Sequence, residues 1–280
     1  MSDNPLLQYF RSPAIHLELP SKGEYYAKGS LIMPETNELP VLPMTALDEI
    51  TYKTPDALFN GSAIVDVVKS CIPAIVDPWQ MPITDITAIL CAIRIASFGH
   101  QMDIDTVCPK CNNTATYSLD LRNIIEAIQP PDYSDPMKIG DLSFFFKPMI
   151  YKDLNENNKL QFEEEKMSQI LTNSEIDKAQ QIAMLSEAYK KVSKYTIATL
   201  AKNIKTIITP DASVVNEEHI LEFLQNCEND VYKKIKKEII TQKMSEAIKP
   251  LHIKCEEEEC GHEYDQPFTL DMTSFFAQGS

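Results

Sequence analysis

Residues 252–272 read "HIKCEEEECGHEYDQPFTLDM": Cys255 and Cys260 flank four consecutive glutamates, and Gly261 and His262 follow the second cysteine. A second stretch, residues 104–121, reads "IDTVCPKCNNTATYSLDL" and carries Cys108 and Cys111. Each stretch has an apolar strand leading into a cysteine pair, a turn, and an alternating strand. Each then carries Leu-Asp-Leu (119–121) or Leu-Asp-Met (270–272). The chain therefore contains a degenerate duplication of one hairpin unit, with its copies in opposite halves.

Two cysteine pairs on matching hairpins follow the logic of a zinc ribbon. Zn2+ prefers four ligands in a tetrahedron and suits thiolate, so each turn supplies two sulfurs. The residue after the second cysteine of such a knuckle needs positive φ. Here it is Asn112 in one copy and Gly261 in the other, the residue types that tolerate it best. Cys108, Cys111, Cys255 and Cys260 are the expected ligands of a structural Zn2+ that clips the region near residue 110 to that near 258. Four thiolates would leave no open position for catalysis. The alternatives are a redox pair, a metal-free relic, or a site in which His262 or His252 replaces a cysteine. A redox Cys-x-x-Cys is expected at a helix N-terminus rather than between strands. The part played by His262 stays open. Cys71, Cys91 and Cys227 sit in apolar, helical contexts and read as buried small hydrophobes.

The chain has 280 residues, 44% apolar and 24% charged, with a net charge of −15. These values describe a globular protein of one large domain or two ordinary ones. An acidic chain with three arginines (Arg11, Arg94 and Arg122) is poorly equipped to hold phosphate backbones, which argues against nucleic acid as the main partner. No apolar run approaches the roughly 20 residues of a membrane span, and "MSDNPLLQYF" has no signal-peptide pattern, so a soluble cytoplasmic product is expected. Seven cysteines in a reducing compartment point to metal or redox chemistry rather than structural bridges.

The rest of the pattern predicts an α+β fold, mainly helical, with short β-hairpins and a split zinc-ribbon-like four-cysteine module. Four segments follow: an extended arm over 1–26, a domain over 27–150 with the first knuckle, a helical domain over 151–247, and a closing hairpin over 248–280 that packs on the first. Within 27–45, runs broken by proline predict a β-hairpin or short strands. "TALDEI" offers Thr45 as an N-cap with Asp48 three residues on. "TDITAILCAIRIASFG" is apolar on nearly all sides and predicts a buried helix, with Thr84 as cap and Gly99 at its end. "SFFFKPMI" closes a hairpin turning at Gly140 and Asp141. Two helices are expected over 151–204, broken near "LTNSEID", with Thr172 or Ser174 capping the second. Ile182, Leu185, Tyr189, Val192, Thr196 and Thr199 make a stripe suited to an antiparallel helix pair or a partner helix. A strand–turn–strand around Pro210 and Asp211 precedes helices near 216–226, capped by Asn216, and 228–247. The lysines of "KKIKKE" go right round the second of these, as a solvated surface would have them.

Arg94, inside the apolar helix, calls for a structural ion pair, with Asp85, Asp103 or Asp48 as partner. His100 reads as a helix C-terminal cap interaction. Phosphate-loop, dinucleotide, nucleophile-elbow and zinc-protease motifs are all missing from the sequence, so no catalytic residues and no small-molecule substrate are expected.

The succession "LPSKGEYY" (19–26) with Gly29, "VLPMTALDEI" (41–50), "NGSAIVDVVKSCI" (60–72), "ITDITAILCAIRIASFGHQMDI" (83–104) and "CPKCNNTATYSLDL" (108–121) resembles the T4 bacteriophage base plate protein family. The type member of that family is a baseplate hub subunit of a contractile-tailed phage. The resemblance covers about the first 125 residues and extends to the closing knuckle; 151–247 matches nothing in it. It implies a non-enzymatic role in a phage tail, through contacts with other hub and tail proteins, in the virion and after assembly in the host cytoplasm. An assembly chaperone absent from the mature particle is one alternative. A zinc-ribbon nucleic-acid or transcription adaptor is another, against which the glutamates of the second knuckle argue.

Overall fold

The structure is a computed structural model of the 280-residue chain and describes residues 4–54, 61–173, 178–246, 248–268, 270 and 275–276. In chain order the elements are β1 (Ile15–Glu18), β2 (Glu38–Val41), α1 (Ala46–Tyr52), α2 (Ser62–Cys71), α3 (Ile83–Phe98), β3 (Gln101–Val107), β4 (Thr114–Asp120) and α4 (Leu121–Ala127). Then follow β5 (Met137–Ile139), β6 (Leu142–Phe146), α5 (Tyr151–Asn173), α6 (Lys178–Lys202), β7 (Ile204–Ile208), β8 (Ser213–Val214), α7 (Glu217–Asn226), α8 (Asn229–Glu246), β9 (Leu251–Lys254) and β10 (Glu263–Gln266). The fold is α+β, with short antiparallel sheets. The chain forms two compact units. One combines residues 1–130 with 246–280, and the other is residues 131–245.

In the discontinuous unit, α3 is the central element. Ile86, Ile89, Leu90, Cys91, Ala92 and Ile93 are all buried, as an almost wholly apolar helix requires. Thr84 does not cap it: the N-cap is Pro82, with no side-chain bond, and Thr84 lies buried in the first turn. A proline ahead of a helix stops the chain without any hydroxyl. At the other end Gly99 has φ 92°, a conformation that a side chain would strain. At the start of α1, Thr45 and Asp48 form the reciprocal capping box. Asp48 also receives Arg11 at 3.2 Å.

The segment over 27–45 forms no hairpin of its own. Its one strand, β2, pairs antiparallel with β1, Leu17 opposite Leu39, and Leu31 makes an isolated bridge to Ile75. Leu17, Leu39 and Val41 thereby enter the core, which a local hairpin would not achieve. Buried Asp85 accepts from the Ser21 N–H at 2.8 Å and from its hydroxyl. Arg94 is 2% exposed and donates to the Phe275 carbonyl, with its guanidinium 5.5 Å from the Phe275 ring and 5.7 Å from that of Phe98. Of the carboxylates considered for it, Asp85 is engaged by Ser21, and Asp48 by Thr45 and Arg11. His100 contributes its carbonyl, which accepts from Leu121.

The second unit carries the four-stranded sheet β5-β6-β7-β8, all antiparallel, entered by the turn at Gly140 with φ 57°. Phe144, Phe146, Ile204, Ile207, Ile220 and Leu224 are buried there. Asn216 caps α7 by accepting from Glu218 and His219. Ile235 and Ile239 form the buried stripe of α8, while Lys233, Lys234, Lys236 and Lys237 are exposed. At the base of the α5–α6 pair, Thr199 bonds Asn157 at 3.1 Å and Lys202 pairs with Asp153 at 2.6 Å. The side chains of Thr172, Ile182, Leu185 and Tyr189, and residue Ser174, lie outside the described residues.

Burial raises the Asp85 carboxyl to about 6, against the hydrogen bonds from Ser21 and Tyr26 that favour its charge. Its folded-state value is above its unfolded one. Its contribution to stability is therefore full below about pH 4 and lost as pH rises through about 6. The stability difference between the native chain and Asp85→Asn should move in the variant's favour by about 2 kcal/mol between pH 4 and pH 7, measured by denaturant titration at each pH.

Candidate metal centre

Both knuckles are built by the same turn. In the first, the Asn112 N–H donates to the Cys108 carbonyl at 2.9 Å, and Asn112 has φ 58°. In the second, the Gly261 N–H donates to the Glu257 carbonyl at 3.1 Å, and Gly261 has φ 51°. Each turn thus spans five residues and ends on the residue that tolerates a left-handed backbone. The hairpins close beyond it, with Cys108 N–H bonded to the Asn113 carbonyl at 2.9 Å and Cys255 N–H to that of His262 at 2.8 Å. The extra residues of the second knuckle are inserted ahead of the turn. Cys255 reaches in from the end of the strand, whereas Cys108 begins the turn itself.

The two hairpins, β3–β4 and β9–β10, bring Cys108, Cys111, Cys255 and Cys260 together, with all four sulfurs within 4.8 Å of one another. Two close pairs run between hairpins. Cys108 faces Cys260 at 3.9 Å and Cys111 faces Cys255 at 3.6 Å, so the first cysteine of each knuckle meets the second of the other. The same exchange recurs in the strands. Tyr117 on β4 donates to the Lys254 carbonyl on β9 at 2.7 Å. On β10, Tyr264 shares a hydrogen bond of 2.9 Å with Thr106 on β3. An approximate two-fold relation between the hairpins follows from these four contacts.

A tetrahedral ion with metal–sulfur bonds of about 2.3 Å needs sulfurs about 3.8 Å apart, so the cluster fits such an ion once its widest separations close by up to about 1 Å. The separations are far beyond the roughly 2 Å of a disulfide, and all four cysteines are free. Cys108 and Cys255 are buried, Cys260 is half-buried and Cys111 exposed.

Burial, backbone N–H groups and hydrogen bonds between the sulfurs shift the thiols in opposite directions. Burial raises the Cys108 thiol, but the N–H groups of Cys111 and Lys110 and the neighbouring sulfurs outweigh it and bring it to about 7. The Glu257 N–H favours Cys255 as thiolate, yet burial and three neighbouring sulfurs push it up to about 12. Such a set gives up its protons together only to a cation.

His262 is not one of the four clustered residues; its ring stacks on Tyr264 at 6.2 Å. His252 lies on the exposed side of β9 against Asp265 at 3.1 Å. Burial raises the Cys71 and Cys91 thiols to about 11 and about 12, as expected of inert hydrophobes. Cys227 is only half-buried at the end of α7. Sequence reading missed the tyrosine exchange. Its signal was present, since "TATYSLDL" and "HEYDQ" each place a tyrosine on the outgoing strand.

The chain belongs to the T4 bacteriophage base plate protein family, whose sequence model matches residues 18–277. The match runs well past the first 125 residues and includes the helical stretch 151–247. Membership gives the chain a structural role in a phage baseplate, among other tail proteins. No curated protein and no solved structure matches it. No helix among the described residues is long and apolar enough to cross a membrane.

If the four sulfurs act as one site, protein purified without added metal should contain about one ion per chain. Cys111→Ser should lose most of it and unfold at a temperature several degrees lower, read by elemental analysis and thermal denaturation. Full metal content in Cys111→Ser would show that its sulfur is not a ligand.

Proposed function

We propose that this chain is a structural or assembly protein of the central hub of a contractile-tail baseplate. It acts through protein–protein contacts, and Cys108, Cys111, Cys255 and Cys260 hold a structural Zn2+. The observation that carries the hub reading is the family match over residues 18–277, which takes in both compact units. The zinc reading rests on the all-sulfur donor set, which suits a borderline-soft ion, and on sulfur spacings close to a tetrahedron's edges. Four thiolates complete the coordination, so the ion's work is to hold two chain segments together rather than to activate water.

Charge favours protein over nucleic acid as the partner of the second knuckle. Glu256, Glu257, Glu258 and Glu259 are all exposed at its tip, and the chain carries −15 overall. A phosphate backbone would be repelled there. The proposed location is the tail baseplate of the virion, reached after assembly in the host cytoplasm.

Mass spectrometry of purified virions tests the hub reading: peptides from this chain should be found at a level comparable with other baseplate subunits. Peptides in infected-cell lysate but absent from particles would instead make the chain an assembly chaperone. Elemental analysis should identify zinc at about one equivalent; a different metal, or none, would overturn the zinc assignment.

A further inference from the structure

The four sulfurs of the metal centre are not held alike. Cys108 and Cys255, the first cysteine of each knuckle, are buried, whereas Cys260 is half-buried and Cys111 exposed. The buried two directly follow β3 and β9, where the backbone is still paired, Val107 with Thr114 and Lys254 with Glu263. The other two sit on the turns, whose bonds are local. Whatever fixes β3 relative to β9 therefore fixes the two buried sulfurs.

A run of hydroxyl groups joins those strands. Thr106, two residues before Cys108 and 3% exposed, shares a bond of 2.9 Å with the Tyr264 hydroxyl. Tyr264 is in turn a hydrogen-bonding neighbour of Tyr117. Tyr117 donates to the Lys254 carbonyl at 2.7 Å, and that carbonyl shares a peptide group with the Cys255 N–H. The direction of the run follows from its last member. A phenol has one proton, and Tyr117 gives its proton to Lys254, so Tyr117 accepts from Tyr264. Tyr264 then has no proton left for Thr106 and accepts from it. Thr106 has only a weaker alternative acceptor, the Ala115 carbonyl at 3.4 Å. Bonds aligned head to tail in this way polarise one another.

The peptide group between Lys254 and Cys255 is thus gripped from both sides. Its carbonyl is held by Tyr117 of the other hairpin, and its N–H donates to the His262 carbonyl of its own. The His262 ring lies within 16° of parallel to that of Tyr264. His262 therefore touches the centre through its carbonyl and its ring face.

We propose that Thr106, Tyr264 and Tyr117 are positioning residues of the metal centre: their hydroxyl relay sets the spacing of the strands that carry Cys108 and Cys255, and so how tightly the ion is held. The inference rests on the four-cysteine reading of the site. Neither hairpin belongs to a larger sheet, and a two-stranded hairpin is marginal alone. Contacts between the two hairpins therefore count chiefly when an ion holds them together. Loss of a relay hydroxyl falls on affinity for the ion rather than on the stability of the metal-free chain. None of the three side chains supplies a ligand atom, so the number of ions bound does not change. The bonds reach the backbone beside a ligand and not its sulfur, which puts their effect at the low end of the range for residues that support metal ligands.

Zn2+ binding by the full chain, in competition with a chromophoric chelator, tests this. Tyr117→Phe and Tyr264→Phe keep the ring and lose only the hydroxyl. Each should still bind about one Zn2+ per chain, with Kd raised about five- to tenfold. The denaturation midpoint of each metal-free variant should match that of the metal-free native chain. Thr106→Val combined with Tyr264→Phe should cost about as much as the more harmful of the two alone, since both remove the same bond. Phenylalanine variants that hold Zn2+ as tightly as the native chain would overturn the proposal. So would a loss of metal-free stability with Kd unchanged, which would make the hydroxyls ordinary structural contacts. Additive losses from Thr106→Val and Tyr264→Phe would overturn the relay. A native chain that takes up no Zn2+ would overturn the reading of the site itself, and this inference with it.

Discussion

A two-stranded hairpin is at best marginal in water, and the fold rests on two of them meeting. Neither β3–β4 nor β9–β10 belongs to a larger sheet. Together they share four sulfurs and two tyrosine contacts, each made from the outgoing strand of one to the incoming strand of the other. An ion on the four sulfurs would take the place of the core that two such hairpins lack. The contact also sets the topology. Cys111 and Cys255 are 144 positions apart, and the second compact unit lies wholly within that interval. Closure entropy grows only with the logarithm of loop length, so carrying a folded unit inside the loop adds little to the cost of closing it.

The C-terminal segment is tied to the discontinuous unit at a second place, by Arg94. A buried guanidinium costs heavily unless its donors and its charge are answered. Here the Phe275 carbonyl accepts one donor, and two aromatic rings face the charge. Phe276 meets Tyr52 edge-on at 4.8 Å, which places a further aromatic pair beside the same segment. Asp85 follows the same rule in reverse: Ser21 donates to the acid through both its N–H and its hydroxyl. Both buried charges sit on α3, and each binds a stretch of chain remote in sequence. Thus an almost wholly apolar helix uses two of its few polar positions to fix the polypeptide around it.

What could be read from the sequence was whatever local chemistry fixes. The knuckles were legible because positive φ restricts residue choice, and Asn112 and Gly261 satisfy it. The capping box at Thr45 and the cap at Asn216 were legible because a side chain reaches only two or three residues along its own helix. Thr84 failed as a cap because a hydroxyl near a helix start is a weak signal and Pro82 already ends the preceding strand-like chain. The pairing of β2 with β1 is a long-range choice, made by burying Leu17 and Leu39 together, and prolines within 27–45 say nothing about it. Arg11 left no trace in local pattern, since its partners, Pro43, Asp48 and Ser70, are brought together only by the fold. The sulfurs converge for a similar reason, but there the duplication in sequence stood in for the missing distance information.

The two knuckles share turn bonds, backbone conformation and sulfur placement, yet their tips have opposite character: Pro109 and Lys110 in one, Glu256 to Glu259 in the other. Sulfur geometry constrains the turn and leaves the tip residues free, so the tip is where the two copies can differ without loss of the site. Exposed carboxylates on such a loop contribute about 1 kcal/mol or less per pair and are screened beyond about 10 Å at ordinary ionic strength. Their effect falls on the rate and orientation of encounter with a basic protein surface rather than on the lifetime of the complex. Lasting contact needs desolvated apolar area, which the glutamates lack. An acidic tip is therefore suited to orienting an encounter, whereas durable association calls for exposed apolar surface, of which the run from Leu6 to Phe10 is an example.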